Sequence, residues 1–357
     1  MIPILNSYFI TFLLLSCVPS PTQNEETRLK IDDTGQENNS PPDGDSGMDT
    51  HIDLDNIDPE DDCNSSLGQE MDDVLTTHFT HWLNQEGYDS SRLARIDISG
   101  GSFGGLISEV DCIRKEPIIF IHGNSDQALY GIFGGWEASR TYFLAQGYRS
   151  SELYATTYGQ PALRVASDYT HDKDNILQLR QFIEAVISYT GAEKIDIISH
   201  SLGVTMTRRA ILGGVEYDRD GESYEIGAPL TEKIDSFVGI AGGNQGLASC
   251  ALAGAMYPIC DEEIGLHPGW LSGETVLNRS RIIETLNTEA RYEGDFIYSM
   301  WTNQDAILGP NCLVWGVNSC QIPNQDGEYS SLFLDHIGMK NQTAEIQHSL
   351  VVEHILP

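Results

Sequence analysis

Basic residues are scarce in this chain. Only 20 Lys and Arg residues stand against 53 Asp and Glu residues in a chain of 357, which gives a formal net charge of −33. Nucleic-acid binding needs a basic footprint, so we expect no nucleic-acid partner. The negative charge also disfavours anionic substrates and favours solubility, although it specifies no function.

Long apolar runs are also rare, and the one at the start of the chain covers only residues 1–16. A membrane-spanning helix needs about 20 apolar residues, so this run predicts a signal peptide, although no Lys or Arg precedes it. The end of this run together with the next residue, Leu14-Leu15-Ser16-Cys17, resembles a bacterial lipobox. Two alternatives stay open: lipidation of Cys17 with tethering to a membrane surface, or ordinary secretion. Either way we expect a secreted or cell-surface protein.

Cys-x-x-Cys pairs are absent, and the acidic stretches lack the spacing of an EF-hand loop. We therefore expect no metal ion and no cofactor. Without Cys17 an even set of six cysteines remains, which suits disulfide formation outside the cell. These are Cys63, Cys112, Cys250, Cys260, Cys312 and Cys320. Short loops favour Cys250 with Cys260 and Cys312 with Cys320, which leaves Cys63 with Cys112, but the sequence alone does not fix the connectivity.

Residues 17–62 contain almost no large apolar side chains and are rich in Asp, Glu, Asn, Ser, Pro and Gly. Such a composition cannot offset the entropy of ordering by burial, so we predict a disordered acidic linker. We assign residues 63–357 to a single catalytic domain and expect it to be monomeric.

Strand-like and helix-like patterns alternate after residue 63. Apolar runs predict strands at 117–121, 153–157, 195–198, 234–241, 296–301 and 329–334, with edge strands at 96–98 and 106–110. Helical spacing predicts helices at 71–83, 136–146 and 175–189, and a last one capped by Thr343 with Ile346, Leu350, Val351 and Ile355 inward. Residues 247–291 show no clear periodicity. This alternation predicts an open, mostly parallel α/β sheet flanked by helices.

The sequence Ser199-His200-Ser201-Leu202-Gly203 follows one predicted strand and precedes a predicted helix. This order is typical of a nucleophile elbow, in which the central serine stands at the top of a sharp turn. Ser199 occupies a position where glycine is usual, and it is small enough for the close passage of strand and helix.

Five polar residues lie just past predicted strands: His122, Ser201, Asn244, Asp305 and His336. Ser201, Asp305 and His336 follow the chain order nucleophile, acid, base, which predicts a serine hydrolase site. The backbone N–H groups of Leu202 and Asn124 are the expected oxyanion donors. We consider His348 and His354 weaker bases, and Asp295, Asp326 and Asp335 weaker acids.

Several blocks together resemble the class 2 lipases, which are α/β-hydrolases similar to secreted bacterial esterases and extracellular polyhydroxybutyrate depolymerases. The blocks are Ile-His-Gly-Asn, Ser-His-Ser-Leu-Gly, Ile-Ala-Gly-Gly-Asn-Gln-Gly-Leu-Ala-Ser-Cys, Asp-Ala-Ile-Leu-Gly-Pro and Asp-His-Ile-Gly-Met-Lys. The resemblance covers roughly residues 110–357. It implies an α/β-hydrolase fold and a disulfide after the Asn-Gln-Gly turn that suits Cys250 with Cys260. It also implies Ser201 as nucleophile, Asp305 as acid and His336 as base, with Asn124 and Leu202 as oxyanion donors. Ser199 and Gln245 depart from the family pattern, and neither departure removes a catalytic group.

The substrate implied by this resemblance is a lipid or other acyl ester. Two alternatives stay open: a polyhydroxyalkanoate depolymerase, and a surface binding protein on a hydrolase scaffold that does not turn over. Candidates for an acyl pocket, or else for the core, are Phe133, Gly134, Gly135, Trp136, Leu247, Leu252, Met256, Tyr257 and Trp270.

Overall fold

A sheet of seven strands lies at the centre of the computed structural model, which describes residues 71–108, 110–289 and 291–356. The strands are β1 (Ser102–Phe103), β2 (Ile118–Ile121), β3 (Leu153–Thr156), β4 (Ile195–His200), β5 (Gly214–Tyr217), β6 (Ser223–Gly227), β7 (Ile234–Ile240), β8 (Trp270–Ser272), β9 (Thr275–Leu277), β10 (Phe296–Thr302), β11 (Leu313–Val314), β12 (Val317–Asn318) and β13 (Gly327–Ser331). The central sheet has the order β1-β3-β2-β4-β7-β10-β13, and the other six strands form three hairpins. The signal peptide and linker assigned to residues 1–16 and 17–62 lie outside the described residues and stay predictions.

Helices flank this sheet. They are α1 (Thr77–Gln85), α2 (Ser90–Ala94), α3 (Glu137–Ala145), α4 (Lys173–Thr190), α5 (Leu202–Leu212), α6 (Ala248–Ala253), α7 (Arg281–Thr288), α8 (Gly338–Asn341) and α9 (Ala344–Val352). Helix α4 contacts α5, and α3 contacts α9. No helix among the described residues is both long enough and apolar enough to cross a bilayer.

Parallel pairing explains the continuous apolar strands. Every residue of β2 and β4 is buried, as expected for central strands that helices cover on both faces. Strands β3, β2, β4, β7, β10 and β13 all run parallel, whereas β1 pairs antiparallel with β3 at the edge. Their carboxyl ends therefore meet at one edge of the sheet, where α/β folds place their sites. The α/β-hydrolase fold predicted from the sequence is confirmed.

The predicted edge strands at 96–98 and 106–110 were wrong. Arg95 has a positive φ of 45° and begins a turn in which the Ile98 N–H donates to the Arg95 carbonyl at 3.0 Å. The short edge strand β1 lies between the two stretches and ends at Gly104 and Gly105, which have φ values of 121° and 117°. The residues described in 106–110 lie in a loop.

The last predicted strand and helix were each too long. Strand β13 ends at Ser331, whose Oγ accepts from the backbone N–H groups of Phe333 and Leu334 at 3.2 Å each, so the chain turns instead of extending. Helix α9 ends at Val352, and Ile355 beyond it is exposed rather than inward. The Thr343 hydroxyl donates to the Met339 carbonyl at 2.5 Å and does not cap α9.

Two predicted disulfides are present in the described residues. Cys250 is bonded to Cys260 and Cys312 to Cys320, as the short loops suggested. Cys112 is also disulfide-bonded, and its expected partner Cys63 lies outside the described residues, as does Cys17.

Candidate active site

Ser201 occupies the turn between β4 and α5 with a φ of 54° and a ψ of −126°. Few non-glycine residues adopt this conformation, and it costs of order 1–3 kcal/mol unless the surroundings enforce it. The Ser201 N–H donates to the Ile240 carbonyl at 2.8 Å, which ties the turn to the end of β7. The strained turn has the geometry of a nucleophile elbow, and it holds the half-buried Ser201 at the carboxyl edge of the sheet.

Small residues make this elbow possible. A Cβ on Gly203 would lie 2.3 Å from the His122 carbonyl oxygen, and one on Gly123 would lie 2.8 Å from the Ser201 Cβ. Helix α5 and the loop after β2 therefore approach each other as closely as glycine allows. Ser199 is fully buried and donates from Oγ to Thr207 Oγ1 at 3.1 Å. Its hydroxyl has a partner inside the elbow, which explains why serine fits the first position.

A chain of hydrogen bonds joins three of the predicted residues. His336 Nε2 lies 3.0 Å from Ser201 Oγ, and His336 Nδ1 lies 2.6 Å from Asp305 Oδ2. His336 follows β13 and Asp305 follows β10, so adjacent strands deliver both side chains to the elbow. The arrangement has the connectivity that activates a serine hydroxyl: a base on the nucleophile and a carboxylate behind the base.

Asp305 is almost completely buried, with 1% of its surface exposed. While Oδ2 faces His336, Oδ1 accepts from the N–H groups of Ile307 and Leu308 at 2.9 and 2.8 Å. These donors satisfy the carboxylate without water and fix its orientation. The geometry keeps one oxygen dedicated to His336.

The expected oxyanion donors flank Ser201. Leu202 is the first residue of α5, where the helix dipole favours negative charge. The Asn124 side chain is fixed by donation from Nδ2 to the Ala166 carbonyl and by acceptance at Oδ1 from the Ser125 hydroxyl, both at 2.8 Å. Within the described parts of the chain, the N–H groups of Asn124 and Leu202 donate to no other residue. Both are therefore free to bind a substrate oxygen.

His122 and His200 border the elbow without acting on Ser201. His122 accepts from the Tyr158 N–H at 3.1 Å, and burial lowers the pKa of His122 to about 4, so it stays neutral and holds its loop. His200 Nε2 donates to the His336 carbonyl at 3.1 Å, while burial and then the nearby His336 depress the pKa of His200. These contacts give both side chains a structural role beside the elbow.

The competing histidines lie away from Ser201. His348 packs on the ring of Phe143, with 5.2 Å between ring centroids. His354 follows α9 instead of lying within it, and its Nε2 is 3.0 Å from Asp235 Oδ2, near the amino end of β7.

The competing carboxylates have other partners. Asp295 forms an ion pair with Lys194, and Asp326 forms one with Arg291 at 2.8 Å. Asp335 accepts from the Gly338 N–H at 2.6 Å and so shapes the turn after His336. None of the three reaches His336 Nδ1, which lies against Asp305.

Asn244 is the remaining polar residue past a predicted strand, and it contacts the chain behind the site instead of Ser201. It is fully buried; its Oδ1 accepts from Arg208 Nη1 at 3.1 Å, and its N–H donates to the Ser319 carbonyl at 2.7 Å. Ser319 lies in the loop that the Cys312–Cys320 disulfide closes. Asn244 therefore braces the segment that follows Asp305.

The candidate pocket residues separate into core and surface. Trp136 and Leu247 are buried. Leu252 and Met256 are strongly exposed, together with Ile132, Leu332 and Phe333 on other loops. We call Ile132, Leu252, Met256, Leu332 and Phe333 the apolar rim. Its members lie on segments that leave the carboxyl ends of β2, β7 and β13, at the same edge as Ser201.

Two groups of possible metal ligands occur among the described residues. One combines Asp305 with Cys312 and Cys320, but these cysteines are bonded to each other and offer no thiolate. The other joins Glu116, Asp196 and Asp235 at the amino edge of the sheet, opposite Ser201. Neither group places a metal ion at Ser201.

A family model described as lipase (class 2) matches residues 115–349, more than half of the chain. The chain belongs to the class 2 lipase family. The matched region contains Ser201, Asp305 and His336, and the family consists of lipase- and esterase-type α/β-hydrolases.

Solved structures of related fold include lipase B of Aspergillus fumigatus, at 13% identity over 72% of this chain and 57% of that one, with a TM-score of 0.48. A monoacylglycerol lipase of Paleococcus ferrophilus is similar at 14% identity over 71% of this chain and 96% of that one, with a TM-score of 0.39.

Two further residues of the site went unnoticed in the sequence. Asp126 and Lys340 are buried and paired beside the loops that carry Asn124 and His336. Lys340 closes the Asp-His-Ile-Gly-Met-Lys block, and its place in that block was the signal that could have marked it.

Proposed function

We propose that this class 2 lipase is a serine carboxylic-ester hydrolase that cleaves acyl esters through an acyl-serine intermediate. The hydrogen-bonded series Ser201–His336–Asp305 at a strained elbow is the observation that supports it. Family membership supports hydrolase activity, and the geometry supplies a mechanism for esters.

In the first half-reaction Ser201 Oγ attacks the ester carbonyl carbon while His336 Nε2 takes the hydroxyl proton. The carbonyl oxygen becomes an oxyanion, which the N–H groups of Leu202 and Asn124 bind. Asp305 stabilises the protonated imidazole through Nδ1. The carbon–oxygen bond of the alcohol then breaks, His336 gives its proton to the departing alkoxide, and the acyl group remains on Ser201.

In the second half-reaction water replaces the alcohol. His336 removes a proton from the water as it attacks the acyl carbon, and the same two N–H groups bind the second oxyanion. Collapse breaks the bond to Ser201 Oγ, which recovers the proton from His336. The products are one carboxylic acid and one alcohol, and no cofactor is consumed.

The apolar rim supports a lipid-like substrate. Leu252 and Phe333 are 94% and 91% exposed, and their segments leave the edge of the sheet at which Ser201 lies. The net charge of −33 disfavours anionic molecules. We therefore infer uncharged acyl esters, such as esters of glycerol, as the substrate class.

We also propose that the protein acts outside the cell. The apolar run at residues 1–16 and the two disulfides support export. Mass spectrometry of the mature N-terminus distinguishes a lipidated Cys17 from a cleaved leader without lipid.

A chain-length series of nitrophenyl esters, compared with emulsified triglycerides and polyhydroxybutyrate granules, tests the proposal. We expect hydrolysis of the nitrophenyl esters and of the emulsion by the wild type, and a loss of several orders of magnitude in Ser201→Ala with the fold unchanged. Turnover of granules without turnover of triglycerides would replace lipase by polyester depolymerase. Equal activity of Ser201→Ala and wild type would reject the serine mechanism.

A further inference from the structure

We propose that Lys340 and Asp126 are positioning residues, which hold the loop of the oxyanion donor Asn124 against the loop of His336. The proposal rests on the ester-hydrolase function proposed above. It states that a buried ion pair sets the distance between the oxyanion donor and the base. Neither side chain contacts Ser201, so any effect on the reaction acts through the two loops.

Lys340 is a fully buried cation with three acceptors. Its Nζ donates to Asp126 Oδ2 at 2.6 Å and to the Phe133 and Gly135 carbonyls at 3.2 and 2.5 Å. Lys340 and Asp126 are 0% and 1% exposed at their side chains. The three acceptors use the full donor capacity of the ammonium group.

All three acceptors lie in the loop between β2 and α3. Asp126 comes two residues after Asn124, and Phe133 and Gly135 lie on the return arm of the same loop. The carboxylate is also enclosed by its own loop, because Oδ1 accepts from the Gly135 N–H at 3.3 Å. Lys340 thus fixes both arms of the loop that presents the Asn124 N–H.

Lys340 itself belongs to the His336 segment. It lies four residues after His336 in α8, and the Met339 N–H donates to the Asp335 carbonyl at 3.0 Å to close the turn between them. The adjacent Asn341 adds a second link, from Nδ2 to the Phe133 carbonyl at 3.0 Å. One short segment, residues 336–341, therefore contains the base and also binds the loop that contains Asn124.

Stability alone is a weak reason for this pair. Removing two charges from water costs free energy, and the attraction between the charges seldom exceeds that cost by much. Replacing such a pair by apolar residues of similar size often leaves the stability of the fold unchanged or increases it. Burial lowers the pKa of Lys340, and Asp126 opposes that effect. A buried ion pair can instead hold the segments that it links in one arrangement. Here those segments are the loop of Asn124 and the loop of His336.

The expected consequence is a loss in kcat with little change in KM. A displacement of about 1 Å in a catalytic group can cost about 100-fold in rate, and the loss of one oxyanion donor costs about 100- to 1000-fold. Four of the five residues of the apolar rim lie outside the loop that Lys340 holds, so we expect ground-state binding to change little. We therefore expect Lys340→Met to lower kcat about 100-fold and to change KM less than threefold.

Arg209 provides a matched control. It is a buried cation at the far end of α5 that also donates to one carboxylate and two carbonyls: Glu216 at 2.5 Å, Gly213 at 2.6 Å and Val215 at 3.0 Å. Arg209→Met should lower Tm at least as much as Lys340→Met while kcat stays within threefold of the wild type.

The double variant Asp126→Asn/Lys340→Met separates position from stability and remains usable if Lys340→Met alone does not fold. It contains no unpaired charge, so Tm should return toward that of the wild type, but the link between the loops stays missing. We measure kcat, KM, Tm and the affinity for a phenylboronic acid, which forms a tetrahedral adduct on the serine. The positioning role is supported if kcat of the double variant stays about 100-fold below that of the wild type and the affinity for the boronic acid falls in parallel.

Recovery of kcat together with Tm in the double variant would overturn the positioning role, as would equal losses of kcat in Arg209→Met. An inactive wild type would instead contradict the proposed function. The two failures are therefore distinguishable in the same assay.

Discussion

Replacing Asp305 by asparagine tests the orientation of His336. Oδ1 of Asp305 is held by two backbone N–H donors, at Ile307 and Leu308. In the asparagine variant these donors select the amide oxygen for that place, because an NH2 group there would face two donors. The NH2 group must then point at His336 Nδ1. That nitrogen becomes the acceptor, so the ring proton moves to Nε2 and faces Ser201.

A ring protonated at Nε2 cannot accept the Ser201 proton. The same change in a serine protease lowers kcat about 10⁴-fold with the geometry intact, which is about 5 kcal/mol at about 1.36 kcal/mol per tenfold. We expect a loss of that size in Asp305→Asn, measured as kcat on a nitrophenyl ester at pH 8, with Tm close to that of the wild type.

Asp335, the carboxylate next to His336 in the sequence, provides the control. Asp335→Asn keeps an oxygen for the Gly338 N–H, to which Asp335 is bonded at 2.6 Å, and its kcat should stay within about tenfold of the wild type. Retention of near-normal kcat in Asp305→Asn would refute the reasoning, since another carboxylate would then orient His336.

Three further substitutions test the elbow and the sheet. Gly123→Ala places a Cβ 2.8 Å from the Ser201 Cβ, and we expect kcat to fall at least about tenfold. Ser199→Gly removes the hydrogen bond to Thr207; kcat should stay within about threefold, and a larger loss would show that the hydroxyl matters. Burial and neighbouring carboxylates raise the pKa of Asp196 well above its usual value, so the native state keeps a proton that the unfolded chain releases, and stability falls as the pH rises above the usual carboxyl range. Asp196→Asn should therefore be more stable than the wild type at pH 8, seen as a gain in Tm that shrinks toward pH 4; a gain independent of pH would contradict this.

Local patterns were sufficient for the centre of the fold. The strands β2, β4, β7 and β10 are largely buried, so their sequences are rich in apolar residues, without interruption in β2, and stand out from the surrounding chain. The chain order of Ser201, Asp305 and His336 then sufficed to bring them to one edge, because parallel strands share their carboxyl ends. Sequence reasoning was least accurate at the periphery.

Peripheral elements depend on contacts that a local pattern does not contain. Strands β8 and β9 are exposed, and the alternation of buried and exposed side chains in β6 spans only five residues. Helix α7 buries one face, but it is only eight residues long and lies inside a longer stretch that lacks periodicity as a whole. Strand β13 ends early because one hydroxyl, that of Ser331, accepts two backbone donors. The pair of Asp126 and Lys340 joins residues 214 positions apart, which only the folded chain reveals.

Labelling by a fluorophosphonate tests the central claim most directly, because the probe bonds to an activated serine whatever the natural ester is. We predict a single adduct on Ser201, located by peptide mass spectrometry, with no adduct in Ser201→Ala and a much slower reaction in His336→Ala. A folded wild-type protein that takes no label, or that is labelled on another residue, would contradict the assignment of Ser201 as the nucleophile.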